Sequence, residues 1–337
     1  MIVQIRPLVD SFGRVHTYLR LSITDKCNLR CTYCVSPDYP GSRKSSSPSF
    51  PHLERLLKIF VGRCGITKIR LTGGEPTIHP YFNDYLSLLS SLSLTDRGIT
   101  TNGVLFNKMN EIAKHFNRVN VSLDTLDREK FPLISNRDPN VFDNVLKSIR
   151  ILASGSTKVK INTVVMRGIN DDDLLDILHF ADSFPNITVR FIELMPFNGN
   201  GHANKLFLSK DEMLGKISRD VTEVPSNELS SSAGQLMYSV PGLGRPFGII
   251  SSMTDIFCGS CNRIRLTSDG KLRNCLFSDT DTETDLVSMI VRGCSDDELE
   301  DAIRENIGGK FISHGGKKVD ELWHQSQRNR SMISLGG

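Results

Sequence analysis

The chain of 337 residues is 39% hydrophobic and 23% charged, an ordinary globular balance with room for one large domain and a smaller addition. A formal net charge of +3 gives no argument for a nucleic-acid surface. No apolar run reaches membrane-spanning length, and the start from Met1 to Arg6 does not read as a signal peptide.

Residues 1 to 17 form a lead-in with a turn at Asp10 to Arg14. Tyr18 to Ile23 alternates and predicts a strand that runs through Thr24-Asp25-Lys26 into the first cysteines. Residues 35 to 51 are polar and rich in Ser and Pro, and predict a mobile loop. A helix is expected over 52–63, with Leu53, Leu56, Leu57 and Phe60 on one face. Ile66 to Leu71 is a second strand. Further helices are expected over 81–92, near 105–115, and over 142–153 and 174–184. Further strands end at Thr101 and cover 119–123, 159–165 and 187–192.

Six strands separated by helices imply a parallel sheet. Polar or glycine-rich groups follow strand after strand: the cysteine loop, Gly73 to Pro76, Thr101-Asn102-Gly103, Ser122 with Asp124, Asn162, and Arg190 near Glu193. Such convergence is how barrel active sites are built. Six strands are fewer than the eight of a closed barrel. The expected α/β fold is therefore an incomplete (β/α)6 TIM-type barrel over 1–200, open at the side, with a doubly wound sheet as the alternative. Beyond residue 200 the rhythm breaks. Residues 201–337 are read as a C-terminal region with a helix near 209–218, a Ser-rich loop over 226–232, a second cysteine group and a helix over 296–310.

The eight cysteines fall as two groups of three, with Cys64 and Cys294 apart. That placement fits metal-type clusters in a reducing compartment better than disulfides. Cys27, Cys31 and Cys34 have the spacing of a compact loop that aims three thiolates at one soft metal centre, with no fourth ligand close by. A [4Fe-4S] cluster so held keeps one iron open. A zinc knuckle with a distant fourth ligand, or three ordinary thiols, is the alternative. Gly73-Gly74-Glu75-Pro76 follows the second strand directly. Its glycines would let the backbone approach a ligand, and Glu75 would suit an ammonium; a plain turn is the alternative. The second group is Cys258-x2-Cys261-x13-Cys275. Asp269-Gly270 predicts a hairpin that brings Cys275 back toward Cys261. A fourth ligand from Cys294 or a distant His would instead give zinc or a fully ligated cluster. Arg263 and Arg265 adjoin this group, and Arg20, Lys68, Arg70 and Arg190 lie along predicted strands. An interior lined with such cations needs a polyanion, for which a triphosphate is suited; surface exposure is the alternative.

Cys-x3-Cys-x2-Cys with Tyr33 before its last member resembles the radical S-adenosylmethionine (SAM) superfamily. The resemblance implies SAM on the open iron, Tyr33 near the adenosine, and Gly73, Gly74 and Glu75 at the methionine end. It also implies polar contacts from Thr101, Ser122 and Asn162, each of which would otherwise be a cap or turn residue. Over nearly its whole length the sequence further resembles the GTP 3′,8-cyclase family, that of molybdenum cofactor biosynthesis protein A. The resemblance runs through Asp10 to Arg14, Leu21 to Cys31, Gly73 to Pro76, Val121 to Asp124, Phe191 to Pro196, Ser251 to Thr254, both cysteine groups and Gly336-Gly337.

This second resemblance implies two [4Fe-4S] clusters, on Cys27, Cys31 and Cys34 and on Cys258, Cys261 and Cys275, with Met195 added to the SAM contacts. It implies a 5′-deoxyadenosyl radical that abstracts the 3′ hydrogen of GTP, after which C3′ adds to C8 of guanine. The product is (8S)-3′,8-cyclo-7,8-dihydroguanosine 5′-triphosphate, the first step toward the molybdenum cofactor. Arg20, Lys68, Arg70, Arg190, Arg263 and Arg265 match the family's substrate-binding set, and Gly336 and Gly337 its catalytic tail. An external one-electron reductant, a homodimer, a downstream cyclic pyranopterin monophosphate synthase, and a cytoplasmic location (mitochondrial matrix if eukaryotic) are implied as well, with no nucleic-acid or membrane partner. Val35-Ser36-Pro37 departs from the family's methionine-proline after the third cysteine. The rival readings are a peptide-modifying or maturase radical SAM enzyme with an auxiliary cluster, and a nonenzymatic zinc or iron-sulfur protein.

Overall fold

The computed structural model describes residues 5–35, 48–198, 200, 203–224, 236–255, 257–324 and 326–337. Most of the loop expected over 35–51, including Ser36 and Pro37, and the Ser-rich loop over 226–232 lie outside the described residues.

In chain order, Leu8–Val9 (β1) and Val15–His16 (β2) pair antiparallel, and Tyr18–Ser22 (β3) follows. Next come Phe50–Gly62 (α1), Lys68–Thr72 (β4), Phe82–Ser91 (α2), Asp96–Thr101 (β5), Met109–His115 (α3) and Arg118–Ser122 (β6). Lys130–Ser135 (α4), Asn140–Ala153 (α5), Lys158–Val165 (β7), Leu174–Asp182 (α6) and Ile187–Glu193 (β8) complete the expected alternation. The remainder is Ala203–Leu206 (α7), Lys210–Ile217 (α8), Thr222–Val224 (β9), Leu236–Ser239 (β10), Phe247–Ile250 (β11), Arg263–Leu266 (β12), Lys271–Arg273 (β13) and Thr284–Asp285 (β14). Leu286–Val291 (α9), Asp296–Gly308 (α10), Val319–His324 (α11) and Met332–Leu335 (α12) close the order.

Local chemistry accounts for these boundaries. Ser49 is extended and Pro51 sits in the first turn of α1, where a missing N–H costs nothing. The four residues expected on its apolar face are buried, together with Ile59 and Val61. Each such side chain stabilises the fold by about 1.5–3 kcal/mol relative to exposure. Capping boxes, Ser209 with Glu212 and Ser295 with Glu298, start α8 and α10.

Contacts divide the chain into two compact units. The first is Met1–Asn28, Asp38–Ile99 and Cys258–Gly337. Its strand order is β14-β13-β12-β3-β4-β5, in which β12, β3, β4 and β5 run parallel and β13 and β14 are added antiparallel. Leu19, Leu21, Ile69, Leu71, Ile264 and Leu266 form its buried apolar side. The second unit is Leu29–Pro37 and Thr100–Phe257. Its order is β6-β7-β8-β11-β10-β9, parallel from β6 to β11 and antiparallel beyond. β3 to β8, alternating with helices, are the six strands of the expected incomplete barrel. The parallel additions of β12 to β3 and of β11 to β8 were not among the expected elements.

Candidate active site

The site in the first unit is written in strand register. Parallel partners β3, β4 and β12 place Lys68, Tyr18 and Arg263 side by side, with Asp96 of β5 beyond Lys68. Two residues further along, on the same face, stand Gly98, Arg70, Arg20, Arg265 and, across the hairpin, Arg273. A further two residues on come Thr72 and Ser22. Of the expected basic set, Arg20, Arg70, Arg263 and Arg265 therefore share one face; Lys68 shares it too but is exposed. Arg70 and Arg265 are 8% and 5% exposed, which answers the surface alternative for those two. Gly98 makes room for the Arg70 guanidinium, since a Cβ there would lie 2.9 Å from its Cζ.

Charge crowding is expressed in the titration of this face. Burial, with Arg263 and Arg70 adding repulsion, pushes Arg20 down to about 10, although Tyr18 opposes the shift. Burial pushes Arg265 well below the usual arginine range, and Arg20 and Arg263 add to it. Two buried guanidinium groups, Arg20 and Arg265, whose positive charge is disfavoured where they stand, suit an anion. Tyr18 is the member that sequence reasoning missed. Arg70 Nε donates to its Oη at 2.6 Å. Burial raises the phenol, but Arg70, Arg20 and Arg263 outweigh it and bring it down to about 7.

The tail lies on the same face. Gly336 has φ +76°, and its carbonyl accepts from Arg265 Nη1 at 2.7 Å. A Cβ on Gly336 would collide with Thr72 Oγ1 and come within 3.3 Å of Ser22 Cβ, so only glycine fits. Gly336 is buried and Gly337 exposed. The segment before it is fixed by Arg330, which pairs with both oxygens of Asp269 at 2.9 Å and with Glu283 at 2.7 and 2.6 Å.

The second cysteine group also belongs to this unit. Cys258 and Cys261 are joined by a turn in which Cys261 N donates to Cys258 O at 3.1 Å. The expected hairpin joins β12 to β13 with Gly270 at φ +81° and leads to Cys275. Burial raises the Cys258 thiol, and Cys275 and Cys261 raise it further. Burial would also raise Cys261, but the Lys310 and Arg263 cations prevail and bring it down to about 7. Lys310 Nζ is 3.6 Å from Cys261 Sγ and donates to Arg263 O at 2.8 Å. Arg14 donates to the carbonyls of Cys258 at 2.8 Å, Ile312 at 2.8 Å and Phe311 at 2.7 Å, while Asp10 accepts from its Nε at 2.6 Å. Three free, half-buried thiols beside the Lys310 and Arg263 cations suit a thiolate-bound cluster. Among the described residues no group of His, Cys, Asp and Glu side chains forms a candidate site for a single metal ion.

The glycine turn packs closely on the chain that leads to Cys27. Gly74 N donates to Thr24 O at 2.6 Å and Glu75 N to Lys26 O at 2.8 Å. A Cβ on Gly73 would lie 2.7 Å from Thr24 O, and one on Gly74 would collide with Lys26 O. The glycines admit the segment leading to Cys27. Glu75 is 1% exposed, and its carboxylate accepts from Thr77 N at 3.1 Å.

Within the second unit, Cys34 N and Val35 N donate to Cys31 O at 2.9 and 3.2 Å. Tyr33 Oη donates to Asp124 Oδ2 at 2.8 Å. Burial pushes the Asp124 carboxyl up to about 6, although Val164 N donates to its Oδ1 at 2.9 Å. The sequence marks Asp124 only as a strand-end polar residue, because its pairing with Tyr33 leaves no local sequence signal. Asn162 Oδ1 accepts from Arg190 Nε and Nη2 at 2.9 and 2.6 Å, so the two are joined. Thr101 Oγ1 accepts from Gly103 N at 3.1 Å, a turn role that stood as the alternative. Ser122 ends β6 half-buried. Met195 is half-buried too, and its carbonyl accepts from Asn200 Nδ2 at 2.9 Å.

Residues 21–181 match the Radical SAM superfamily and residues 187–315 match Molybdenum Cofactor Synthesis C. The chain is 39% identical to the GTP 3′,8-cyclase of Rhodopirellula baltica, over 98% of this chain and 92% of that protein. It is 36% identical to the mitochondrial GTP 3′,8-cyclase of Arabidopsis thaliana, over 98% and 83%. It is also 39% identical to Molybdenum cofactor biosynthesis protein 1 of Homo sapiens, over 97% of this chain and 51% of that protein. The chain thus spans about half the length of the animal relatives it matches. Among solved structures, native anSMEcpe with bound AdoMet has a TM-score of 0.57 at 17% identity, over 93% of this chain and 92% of that one. That likeness concerns the fold alone.

Proposed function

We propose, from the premise that the chain belongs to the GTP 3′,8-cyclase family, that it joins C3′ of GTP to C8 of its guanine in the first step of molybdenum cofactor biosynthesis. The family implies SAM and a [4Fe-4S] cluster, which when bound supply a carbon radical able to take a hydrogen from a ribose C–H. Cys27, Cys31 and Cys34 would hold that cluster. Tyr33, oriented by Asp124, would lie with Gly73, Gly74, Glu75, Thr101, Ser122, Asn162 and Met195 along SAM. Cys258, Cys261 and Cys275 would hold a second cluster toward the guanine, with Lys310 and Arg14 steadying their loop. Residues 1–200 would form the barrel and residues 201–337 the auxiliary region, a division supported by the two family matches.

The observation that carries the substrate reading is the cationic face of β3, β4 and β12. Arg20, Arg70, Arg263 and Arg265 share it, with Lys68 at its rim. A triphosphate supplies the charge this face lacks, and guanidinium groups supply its oxygens with paired donors. Arg190, held by Asn162, would complete the set. An unselective radical makes orientation decisive, so these side chains choose the hydrogen by fixing the ribose. Gly336 and Gly337 would act by holding Arg265 in place beside the substrate. The reading also implies an external one-electron reductant, a homodimer, delivery to cyclic pyranopterin monophosphate synthase, and a cytoplasmic or mitochondrial-matrix site. No helix among the described residues is long and apolar enough to cross a membrane.

The test is anaerobic incubation of the reconstituted protein with GTP, SAM and a strong reductant, followed by mass analysis. The cyclised triphosphate is expected. SAM cleavage without any GTP-derived product would overturn the substrate assignment.

A further inference from the structure

We propose that Tyr18 belongs to the phosphate subsite itself: its phenolic oxygen stands where a phosphate oxygen binds among the arginines, and it yields Arg70 and Arg20 to the polyphosphate when nucleotide arrives. The inference rests on the reading of this face as a GTP site. Its basis is the register of the first unit. Lys68, Tyr18 and Arg263 form one row of three, and Arg70, Arg20 and Arg265 the next. Tyr18 is the one member of these six that is not cationic, and it sits at the middle of its row.

A tyrosine placed there only to fill space would need its ring alone. Instead its oxygen takes Arg70 Nε at 2.6 Å and favours the charged form of Arg20. Arg20 Nε is buried without a hydrogen-bond partner, so the cluster holds donor capacity that its own residues do not use. An acceptor among crowded guanidinium groups relieves their repulsion while no other anion is present. The charged groups around Tyr18 are Lys68 and Arg70 on β4, Arg20 on β3, Arg263 and Arg265 on β12, Asp96 beside Lys68 on β5, and Arg273 on β13, itself paired with Glu283. Positive charge prevails, and the phenol comes down to about 7 for that reason.

A polyphosphate reverses the balance. Its charge neutralises the guanidinium groups, and the phenolate fraction takes a proton from solvent. The resulting hydroxyl then donates to a phosphate oxygen. Binding is thereby coupled to proton uptake, and affinity weakens as pH rises above about 7, where the phenolate competes.

Isothermal titration of the cluster-loaded, full-length protein tests this. GTP and inorganic tripolyphosphate are titrated from pH 7 to pH 9 in buffers of different ionisation enthalpy, for wild type and Tyr18→Phe. Subtracting the variant removes the ligand's own titration. The expected result is about tenfold weaker binding of both ligands to the variant at pH 7, with less proton uptake and a flatter pH dependence. Equal affinity and equal proton uptake in the two proteins would overturn the role of Tyr18 while leaving the GTP site standing. A wild type that binds neither ligand would remove both. If Tyr18→Phe fails to fold, wild type decides: GTP added at pH 8 should bleach the near-UV tyrosinate band, and an unchanged band overturns the proposal.

Discussion

At the scale of single residues, the site depends on atoms that are missing as much as on those present. Gly336 lies against Thr72 and Ser22 while its carbonyl holds Arg265. Gly336→Ala is expected to lift the tail off this face, leaving iron content and SAM cleavage intact but lowering formation of cyclised product at least about tenfold. Product mass beside a SAM-cleavage assay measures both. Gly74→Ala acts one turn further on, where a Cβ would strike Lys26 O. It should cost about 1–3 kcal/mol and reduce the iron bound by the first triad, seen by thermal melting and iron analysis. His16 is 0% exposed; burial, with Lys310, pushes it down to about 4 against the pull of Asp10. The unfolded chain takes the proton below about 6.5 and the folded one only near 4. Stability is therefore full above that unfolded value and is lost as pH falls through the interval, by at most about 3 kcal/mol. Denaturation at pH 7 and pH 5 should show a smaller drop for His16→Gln than for wild type.

At the scale of elements, the rhythm of strands and helices was legible because each is written locally. Leu53, Leu56, Leu57 and Phe60 mark α1 by period, and Asp269-Gly270 marks the β12–β13 turn. The pairing of β12 with β3 was not legible, because hydrogen-bond partners at opposite ends of a chain leave no local pattern. With that register unknown, Arg263 and Arg265 could be read as neighbours of a cysteine group but not as neighbours of Arg20, and Tyr18 had no reason to stand out. The tail was suspected from its glycines, yet its latch was not. Arg330 ties it to Asp269 in the hairpin turn and to Glu283 ahead of β14, where Arg273 also pairs with Glu283. Arg330→Ala should destabilise the protein by about 2 kcal/mol and free the tail, so that carboxypeptidase removes Gly336 and Gly337 faster than from wild type. Equal protection in both proteins would mean that α12 alone seats the tail.

At the scale of the molecule, the proposed function divides its chemistry between the two cysteine groups. Replacing Cys258, Cys261 and Cys275 together should leave roughly four of about eight irons and spare reductive SAM cleavage, while GTP is no longer cyclised. Replacing Cys27, Cys31 and Cys34 should likewise halve the iron but abolish cleavage. Iron analysis with the two assays separates these outcomes. The first unit is assembled from the two ends of the chain, with β3 made early and its parallel neighbour β12 made late. During synthesis, at roughly 5–20 residues per second, one edge of β3 waits on the order of tens of seconds for its partner. An unpaired strand edge is an invitation to the wrong neighbour. On β3 and β4 that wait is spent under a row of like charges, which repels a second copy of the same strand. The arginines that would hold a triphosphate in the finished protein thus also guard the nascent one against aggregation.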